Sequence, residues 1–162
     1  MRKAIAILAG LAVLGAANWT IYARERLLAE CAVVLLELAP IDPRSLMQGD
    51  FMALRFKVDV DAFGRARKED LTDGRIVVKR DARGVAAFVR RDAGEPLAAD
   101  ELRLRYRVRD GRVKFATNAF FFQEGHARLY ERARYGEFRA ARDGDLLLTH
   151  LRGEALERLG PR

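Results

Sequence analysis

The chain has little of what metal and redox chemistry requires: one cysteine, Cys31, and two histidines, His126 and His150, among 162 residues. A lone cysteine cannot form an intramolecular disulfide, so the fold must rely on its hydrophobic core. These three side chains, far apart in sequence, do not have the ligand spacing of a zinc or iron site. No Walker-type or dinucleotide-binding glycine loop occurs, and no carboxylate pair sits on a recognisable acid–base scaffold. We therefore expect no metal and no cofactor.

Proline is also scarce, with four residues, and there is no low-complexity linker or internal repeat. Hydrophobic residues make up 50% of the chain and charged residues 33%, a balance that is typical of a globular domain. About 130 residues follow the first thirty, which is enough for one domain with a core of its own.

An uncharged run extends from Ala4 to Ala23, about the 20 residues that a helix needs to cross a bilayer. Trp19 and Tyr22 lie at its far end, where aromatic rings favour the membrane–water interface. A retained anchor is favoured over a cleaved signal peptide, because a cleaved apolar region is only about 7–15 residues long. We therefore assign residues 1–29 to a transmembrane anchor and residues 30–162 to a separate domain.

The charges on the two sides of this run favour opposite orientations in the membrane. Arg2 and Lys3 favour a cytoplasmic amino terminus by the positive-inside rule, whereas Arg24 and Arg26 oppose it. The usual orientation of an amino-terminal anchor places the remaining residues outside the cytoplasm. We expect a single-pass protein with its carboxyl-terminal domain on that side.

A hydrophobic period of two dominates the remaining sequence. Residues 102–108 alternate apolar side chains with arginines and lead into Asp110-Gly111, a strong signal for a type I′ hairpin turn. The chain thus predicts a mainly β fold, an antiparallel barrel or sandwich, preceded by one transmembrane helix. The expected strands are 32–38, 52–58, 76–78, 85–89, 102–108, 113–117, 138–141 and 146–148; residues 126–134 and, more weakly, 66–71 have helical spacing.

The block Gly49-Asp50-Phe51-Met52-Ala53-Leu54-Arg55-Phe56 resembles the signature of the GDYxxLxY family of bacterial membrane-associated proteins. Phe51 and Phe56 stand in place of its two tyrosines. The stretch through Glu131 and Tyr135-Gly136 resembles the second half of the family's pattern. The resemblance implies an inner-membrane protein that accompanies multi-span membrane proteins, so a multi-span membrane protein is the expected partner.

Two interpretations of this block remain open. In one, Gly49 supplies conformational freedom and the Asp50 carboxylate accepts bonds from nearby backbone amides, so the block only shapes the fold. In the other, Asp50 and Phe51 contact a partner, since Phe51 falls on the face opposite Leu54. The same choice between packing and contact applies to three consecutive rings, Phe120, Phe121 and Phe122. One face of a strand cannot bury all three, so either both faces are covered or one ring meets another surface. The candidate binding residues are Pro43, Gly49, Asp50, Phe51, Leu54, Phe56, Glu124 and Gly125.

The chain has a net charge of +7, and one predicted hairpin carries six basic residues on a single face. Its six basic residues form either a solvated face or a surface for anionic lipid headgroups, with Asp100, Glu101 and Asp110 as nearby acids. Nucleic acid is not an expected partner, because no recognition helix or ribonucleoprotein motif occurs. The six residues are Arg103, Arg105, Arg107, Arg109, Arg112 and Lys114.

One enzymatic alternative is a Ser/Lys peptidase of the signal-peptidase type, with Ser45 as nucleophile and Lys79 as general base. A lysine serves as a base only when its surroundings depress its pKa. Ser45 lies only four residues before Gly49 and is followed by Leu46, whereas those enzymes have a longer segment there and a methionine after the serine. We favour a non-enzymatic role in binding or assembly.

Overall fold

The computed structural model describes Gly10 and residues 13–16, 18–19, 31–39, 47–48 and 51–161. The chain divides into two compact units, Met1–Cys31 and Ala32–Arg162. The described residues before Cys31 are helical. In the part of the chain that the structure describes, no helix has the length and apolar character to cross a membrane. Most residues of the expected anchor lie outside that part.

The described part of the second unit consists mainly of strands, with one α-helix, α1 (Lys57–Phe63), and two short 3₁₀ turns, Lys68–Asp70 and Ala127–Leu129. The strands are β1 (Ala32–Glu37), β2 (Met47–Gln48), β3 (Phe51–Ala53), β4 (Gly74–Arg80), β5 (Val85–Arg91), β6 (Glu101–Arg109), β7 (Arg112–Lys114), β8 (Ala119–Phe121), β9 (Tyr135–Ala140) and β10 (Leu146–Arg152). A seven-stranded sheet has the order β10-β9-β1-β5-β4-β6-β7, and a smaller sheet has the order β2-β3-β8. The prediction of a mainly β fold is confirmed.

Strand β1 lies inside the large sheet, between β9 and β5. It is antiparallel to β9 but parallel to β5, and Leu35 aligns with Glu137 on one side and Val85 on the other. The sheet is therefore mixed, and the expected antiparallel arrangement does not hold at the β1–β5 pair. The direction depends on the path of the chain between the two strands, and apolar alternation carries no information about that path.

Turn signals at Asp81-Ala82-Arg83-Gly84, Asp110-Gly111 and Asp143-Gly144 predict three hairpins. All three are present, as β4–β5, β6–β7 and β9–β10. At the β6–β7 turn, Asp110 and Gly111 have φ values of 55° and 65°, as a type I′ turn requires. Arg109 aligns with Arg112, as the two-residue turn predicts.

The turn of the β9–β10 hairpin reaches across to β6 and curls the large sheet. The Gly144 carbonyl accepts a hydrogen bond from the backbone N–H of Arg105 at 2.7 Å, and the Asp143 carbonyl accepts one from Arg75 Nε at 3.1 Å. Gly144 has a φ of 92°, and a Cβ added there would lie 3.2 Å from the Arg105 nitrogen. Glycine therefore allows both the turn and its close approach to β6.

One hydrophobic core joins the inner faces of both sheets with α1. Met52 from β3 and Phe63 from α1 belong to the same cluster as the residues of the large sheet. Its largest fully buried side chains include Leu36, Phe56, Ile76, Leu104, Phe115 and Phe138.

Three predicted elements differ from the structure. The 52–58 strand is wrong beyond Ala53: the alternating residues Met52, Leu54, Phe56 and Val58 are buried as expected, but the chain leaves the ladder and enters α1 at Lys57. The predicted 126–134 helix is also wrong. Only a 3₁₀ turn forms there, with hydrogen bonds between residues three apart, such as the one from Tyr130 N–H to the Ala127 carbonyl at 3.0 Å. Within 66–71 a single 3₁₀ turn forms.

Candidate functional site

The Gly49–Phe56 block divides its described residues between the core and the surface. Leu54 and Phe56 are 4% and 1% exposed and belong to the core cluster, whereas Phe51 is only half-buried. Pro43, Ser45, Gly49 and Asp50, which the sequence places in candidate roles, lie outside the described residues. The described part of the block therefore supports the fold through Leu54 and Phe56 and reaches the surface through Phe51.

The ring of Phe56 connects the two halves of the pattern. It packs edge-on against Phe138, with ring centroids 5.3 Å apart. A Cβ added at Gly136 would lie 3.1 Å from Phe56 Cε1 and 3.0 Å from Phe138 Cε2. Gly136 therefore provides the space in which the Phe56 ring sits, so the block and the Tyr135-Gly136 stretch meet in the core.

Phe51 and Phe121 form an aromatic pair on the small sheet, in which Phe51 is half-buried and Phe121 is exposed. We call it the exposed aromatic pair. They lie opposite each other on β3 and β8, with ring centroids 5.9 Å apart and planes inclined at 40°. Phe121 is 74% exposed. A phenyl ring this accessible leaves apolar area in water that a binding partner would bury.

The two neighbouring phenylalanines, Phe120 and Phe122, are packed against another ring of the chain. Phe120 packs edge-on against Tyr130 at 5.0 Å between centroids, and Phe122 stacks on the same ring at 5.4 Å. Tyr130 itself is 6% exposed. Two of the three rings are therefore covered from within the chain, and Phe121 is the one that faces solvent.

A cleft of about 920 Å³ lies beside the same block. Leu54 and Arg55 line it from the block, Asp59 and Phe63 from α1, and all three residues of β7 together with Asn118 from the other side. Ligand pockets have volumes of about 300–1,000 Å³ and combine apolar walls with a few polar groups. The cleft has the size of such a pocket, but its lining includes four charged side chains: Arg55, Asp59, Arg112 and Lys114.

Three polar residues that line this cleft, Arg55, Asp59 and Asn118, have incomplete or long-range partners. Arg55 Nε lies 3.8 Å from Asp59 Oδ2; burial raises the pKa of Asp59, and the nearby Arg55 charge partly opposes that rise. The Asn118 amide donates to the Val113 carbonyl at 3.1 Å, but its buried Oδ1 receives no hydrogen bond from any described residue. An unsatisfied buried acceptor costs about 1–3 kcal/mol, and Asn118 Oδ1, which is closed off from solvent, is such an acceptor.

The candidate residues Glu124 and Gly125 lie in an exposed turn after β8. Gly125 has a φ of 80°, which suits a turn position, and His126 N–H donates to the Gln123 carbonyl at 3.0 Å. This arrangement is that of an ordinary connecting turn, and it gives Glu124 no buried setting for acid–base chemistry.

The basic hairpin is partly neutralised by carboxylates that the sequence analysis does not identify. Arg103 pairs with Asp92 at 3.0 Å, Arg105 with Asp145 at 3.3 Å and Arg109 with Asp73 at 3.3 Å. The acids expected nearby are engaged elsewhere, Asp100 with Lys79 and Glu101 with Arg90. Within the described residues, Arg107, Arg112 and Lys114 have no such partner. The pairing depends on three separate loops, which the sequence of the hairpin does not reveal.

Lys79 does not lie in the surroundings that a general base needs. Its side chain is 61% exposed and pairs with Asp100 at 2.9 Å. That hydrogen bond and the Asp100 charge raise the pKa of Lys79, whereas a lysine base requires a lowered one. The observation weighs against the Ser/Lys peptidase alternative.

A buried charged cluster on β9 and β10 also lies outside the sequence predictions. Glu137 is 6% exposed; it accepts hydrogen bonds from Arg152 and Thr149, and its Oε1 lies 3.4 Å from His150 Nδ1. Burial alone raises the pKa of Glu137, but the Arg152 and His150 interactions outweigh burial and place it below its ordinary value. The cluster ties two strands together; no group of three or more metal-ligating side chains occurs among the described residues.

Comparison with known proteins gives one match. The family model described as GDYXXLXY protein matches residues 13–151, well over half of the chain, and so confirms the resemblance seen in the sequence. No curated protein and no solved structure matches the chain. The family description names a motif and no activity, so the function has to be argued from the residues themselves.

Proposed function

The chain belongs to the GDYXXLXY family, and we propose that it is a non-enzymatic binding module that helps a multi-span membrane protein to assemble. In this proposal the apolar segment 1–29 holds the protein at the inner membrane, with the β domain outside the cytoplasm. The contact surface is the exposed aromatic pair, Phe51 and Phe121. One observation carries the proposal: Phe121 is 74% exposed while its neighbours Phe120 and Phe122 are packed on Tyr130.

The aromatic pair suits a protein contact for energetic reasons. Aromatic side chains bury a large apolar area at little cost in conformational entropy, and they are enriched among the residues that dominate binding energy. Phe51 supports Phe121 from the adjacent strand, which restricts the rings before a partner arrives. Two rings held together in advance lose less freedom on binding than two independent ones.

The choice of a membrane-embedded partner follows from the tether. The uncharged run Ala4–Ala23, with Trp19 and Tyr22 at its end, supports residence at a bilayer. A domain tethered to a membrane meets other membrane proteins at a high effective concentration, so even a small apolar contact gives useful occupancy.

Site-specific photocrosslinking tests this proposal in the full-length chain. A benzoylphenylalanine at position 121 is compared with one at position 89, where Val89 is 42% exposed on β5. We expect irradiation of membranes to join position 121, but not position 89, to a multi-span membrane protein. Adding Phe51→Ala to the chain labelled at 121 should lower the adduct yield several-fold, because the supporting ring is lost.

Two results would contradict the proposal. Equal adducts from positions 89 and 121 would mean that labelling reports general proximity at the membrane. Adducts from position 121 with lipid alone, or with no other molecule, would remove the aromatic pair as a protein contact. Thermal unfolding of each labelled chain serves as the control for folding.

A further inference from the structure

The large sheet has a cation-rich, solvent-facing surface that the proposed function does not use. We propose that this surface docks on the anionic headgroups of a lipid bilayer. It differs from the set of cations expected from the sequence, because it gains Arg75 and loses Arg103. We call it the basic face; it spans β4, β6 and β7 and consists of Arg75, Arg105, Arg107, Arg109, Arg112 and Lys114.

The alternation of side chains along the strands places these six residues on the face opposite the core. Leu104 and Tyr106 of β6 and Val113 of β7 are buried in the core cluster, so the residues beside them point the other way. On β4, Arg75 precedes the buried Ile76 and therefore lies on the same outer face. Five of the six residues are exposed and the sixth is half-buried.

On the basic face, cations lie directly opposite cations in three successive rows. The aligned pairs are Arg75–Arg105, Arg107–Lys114 and Arg109–Arg112. Like charges opposite each other destabilise a sheet, and natural sequences keep such local conflicts mainly where function requires them. A merely solvated face would be more stable with a carboxylate in each pair, so the repeated conflict points to an anionic partner.

Neighbouring carboxylates neutralise only part of this charge. Two ion pairs of 3.3 Å, both about half exposed, involve two of the six cations, and Asp110 adds an exposed carboxylate at the tip of the hairpin. Arg103 is different, because its partner Asp92 has a side chain that is only 6% exposed and the pair belongs to a covered part of the sheet. Among the described residues, four cations of the basic face form no ion pair: Arg75, Arg107, Arg112 and Lys114.

The arrangement of the charges favours an extended anionic surface as the partner. Side chains on one face of a sheet are about 6.6 Å apart along a strand and about 4.8 Å apart between strands, so the six do not converge on one small ligand. Arg112 and Lys114 also border the cleft beside α1, because β7 is the edge strand. A bilayer presents many headgroups in one plane and attracts clustered lysines and arginines. The uncharged run Ala4–Ala23 supports the choice of a bilayer.

Covalent labelling of arginine side chains with phenylglyoxal, read by mass spectrometry, tests the docking in the full-length chain. The chain is reconstituted with nanodiscs of phosphatidylcholine, either alone or with added phosphatidylglycerol. We expect Arg75, Arg107 and Arg112 to be labelled at least threefold more slowly in the anionic nanodiscs. Arg128 and Arg132, which are exposed and lie outside the basic face, should be labelled equally in both. Salt at about 1 M, where the Debye length is about 3 Å, should abolish the protection.

A paired change tests whether the basic face itself is responsible. Arg107→Gln together with Lys114→Gln removes one row of facing cations, and it should raise the labelling of Arg112 in anionic nanodiscs at least twofold. Because the two charges repel each other across the strands, this variant should unfold at the same or a higher urea concentration than the unchanged chain. A loss of protection then does not come from a loss of folding. The matched control, Arg128→Gln with Arg132→Gln, should leave the protection unchanged.

The proposal is overturned if labelling is the same in both kinds of nanodisc, if Arg128 and Arg132 are protected as much as the basic face, or if the paired change leaves the protection intact. Equal protection in phosphatidylcholine nanodiscs by a DNA duplex or by polyglutamate, at the same concentration of negative charge, would also overturn it, since the face would then bind polyanions in general. None of these measurements needs a protein partner. Their outcome is therefore separate from that of the crosslinking experiment at position 121.

Discussion

At the scale of single residues, the contact between Phe56 and Gly136 joins the Gly49–Phe56 block to β9. Residues eighty positions apart in the chain meet because the ring of one occupies the space left by the missing side chain of the other. The requirement for glycine here is one of space and not of backbone conformation.

We expect Gly136→Ala to lower the free energy of unfolding by about 1–3 kcal/mol, because the added methyl group overpacks the core between Phe56 and Phe138. In a Phe56→Leu background the same change should cost at least about 1 kcal/mol less, since residues in contact are energetically coupled. Urea denaturation of the single and double variants measures the coupling.

The matched control replaces a buried aromatic that does not touch Gly136. Phe63 is 7% exposed and packs edge-on against Tyr106 at 4.7 Å. The effects of Phe63→Leu and Gly136→Ala should therefore add within about 0.5 kcal/mol. Equal coupling in both cycles would show that the two halves of the pattern do not meet through Phe56.

At the scale of elements, the turns of two hairpins look alike in sequence but differ in their surroundings. Gly84, between β4 and β5, and Gly144, between β9 and β10, have φ values of 82° and 92°. Nothing lies within 4 Å of a Cβ added at Gly84, whereas one at Gly144 would meet the backbone of β6. The second turn contacts β6 across the curled sheet, whereas the first contacts the neighbouring strand β1, through a hydrogen bond from Leu35 N–H to the Gly84 carbonyl at 2.9 Å.

We expect Gly84→Ala to cost about 1–2 kcal/mol, the price of left-handed backbone conformation in a residue with a Cβ. Gly144→Ala should cost at least about 1 kcal/mol more, because the methyl group also displaces the turn from β6. Hydrogen exchange provides the direct measurement: the Arg105 amide, which donates to the Gly144 carbonyl, should exchange faster only in the Gly144 variant. Unchanged protection of Arg105 would contradict this role for the turn.

At the scale of the whole molecule, the large sheet depends on its first strand. β1 lies between β9 and β5, and its Val34 and Leu36 are completely buried. Removal of β1 would therefore open two ladders as well as the core. Its two neighbours, β5 and β9, are both far from it in the sequence.

We expect a chain of residues 31–162 to unfold cooperatively and a chain of residues 40–162 to show no cooperative transition, because the loss of β1 exposes two strand edges and unfills the core. Circular dichroism during heating measures both. A cooperative transition in the shorter chain would mean that the remaining strands form a self-sufficient sheet.

The sequence predicts the local features of this fold well. Alternation locates the β6–β7 strands, Asp110-Gly111 fixes their register, and the Gly49–Phe56 block identifies the family. The direction of β1 against β5 and the pairing of Arg103 with Asp92 were not predictable in this way, because each depends on the path of chain segments far from the residues concerned. The cleft arises for the same reason, because α1 and β7 meet there and no short pattern connects them. Glu137 lies within the β9–β10 hairpin, where a register shift between Leu148 and His150 is not evident from the alternation.

The central position of β1 has a consequence for the time course of folding. Leu35 pairs with Val85 and Glu137, so its two partners leave the ribosome roughly fifty and one hundred residues after it, a delay of about 5–20 s for the second at usual synthesis rates. Until β5 emerges, this apolar strand has both edges unpaired, and until β9 emerges one edge is still open to mispairing with other chains. The domain therefore cannot be completed hairpin by hairpin as it is made; its central sheet closes only after β9 has been synthesised.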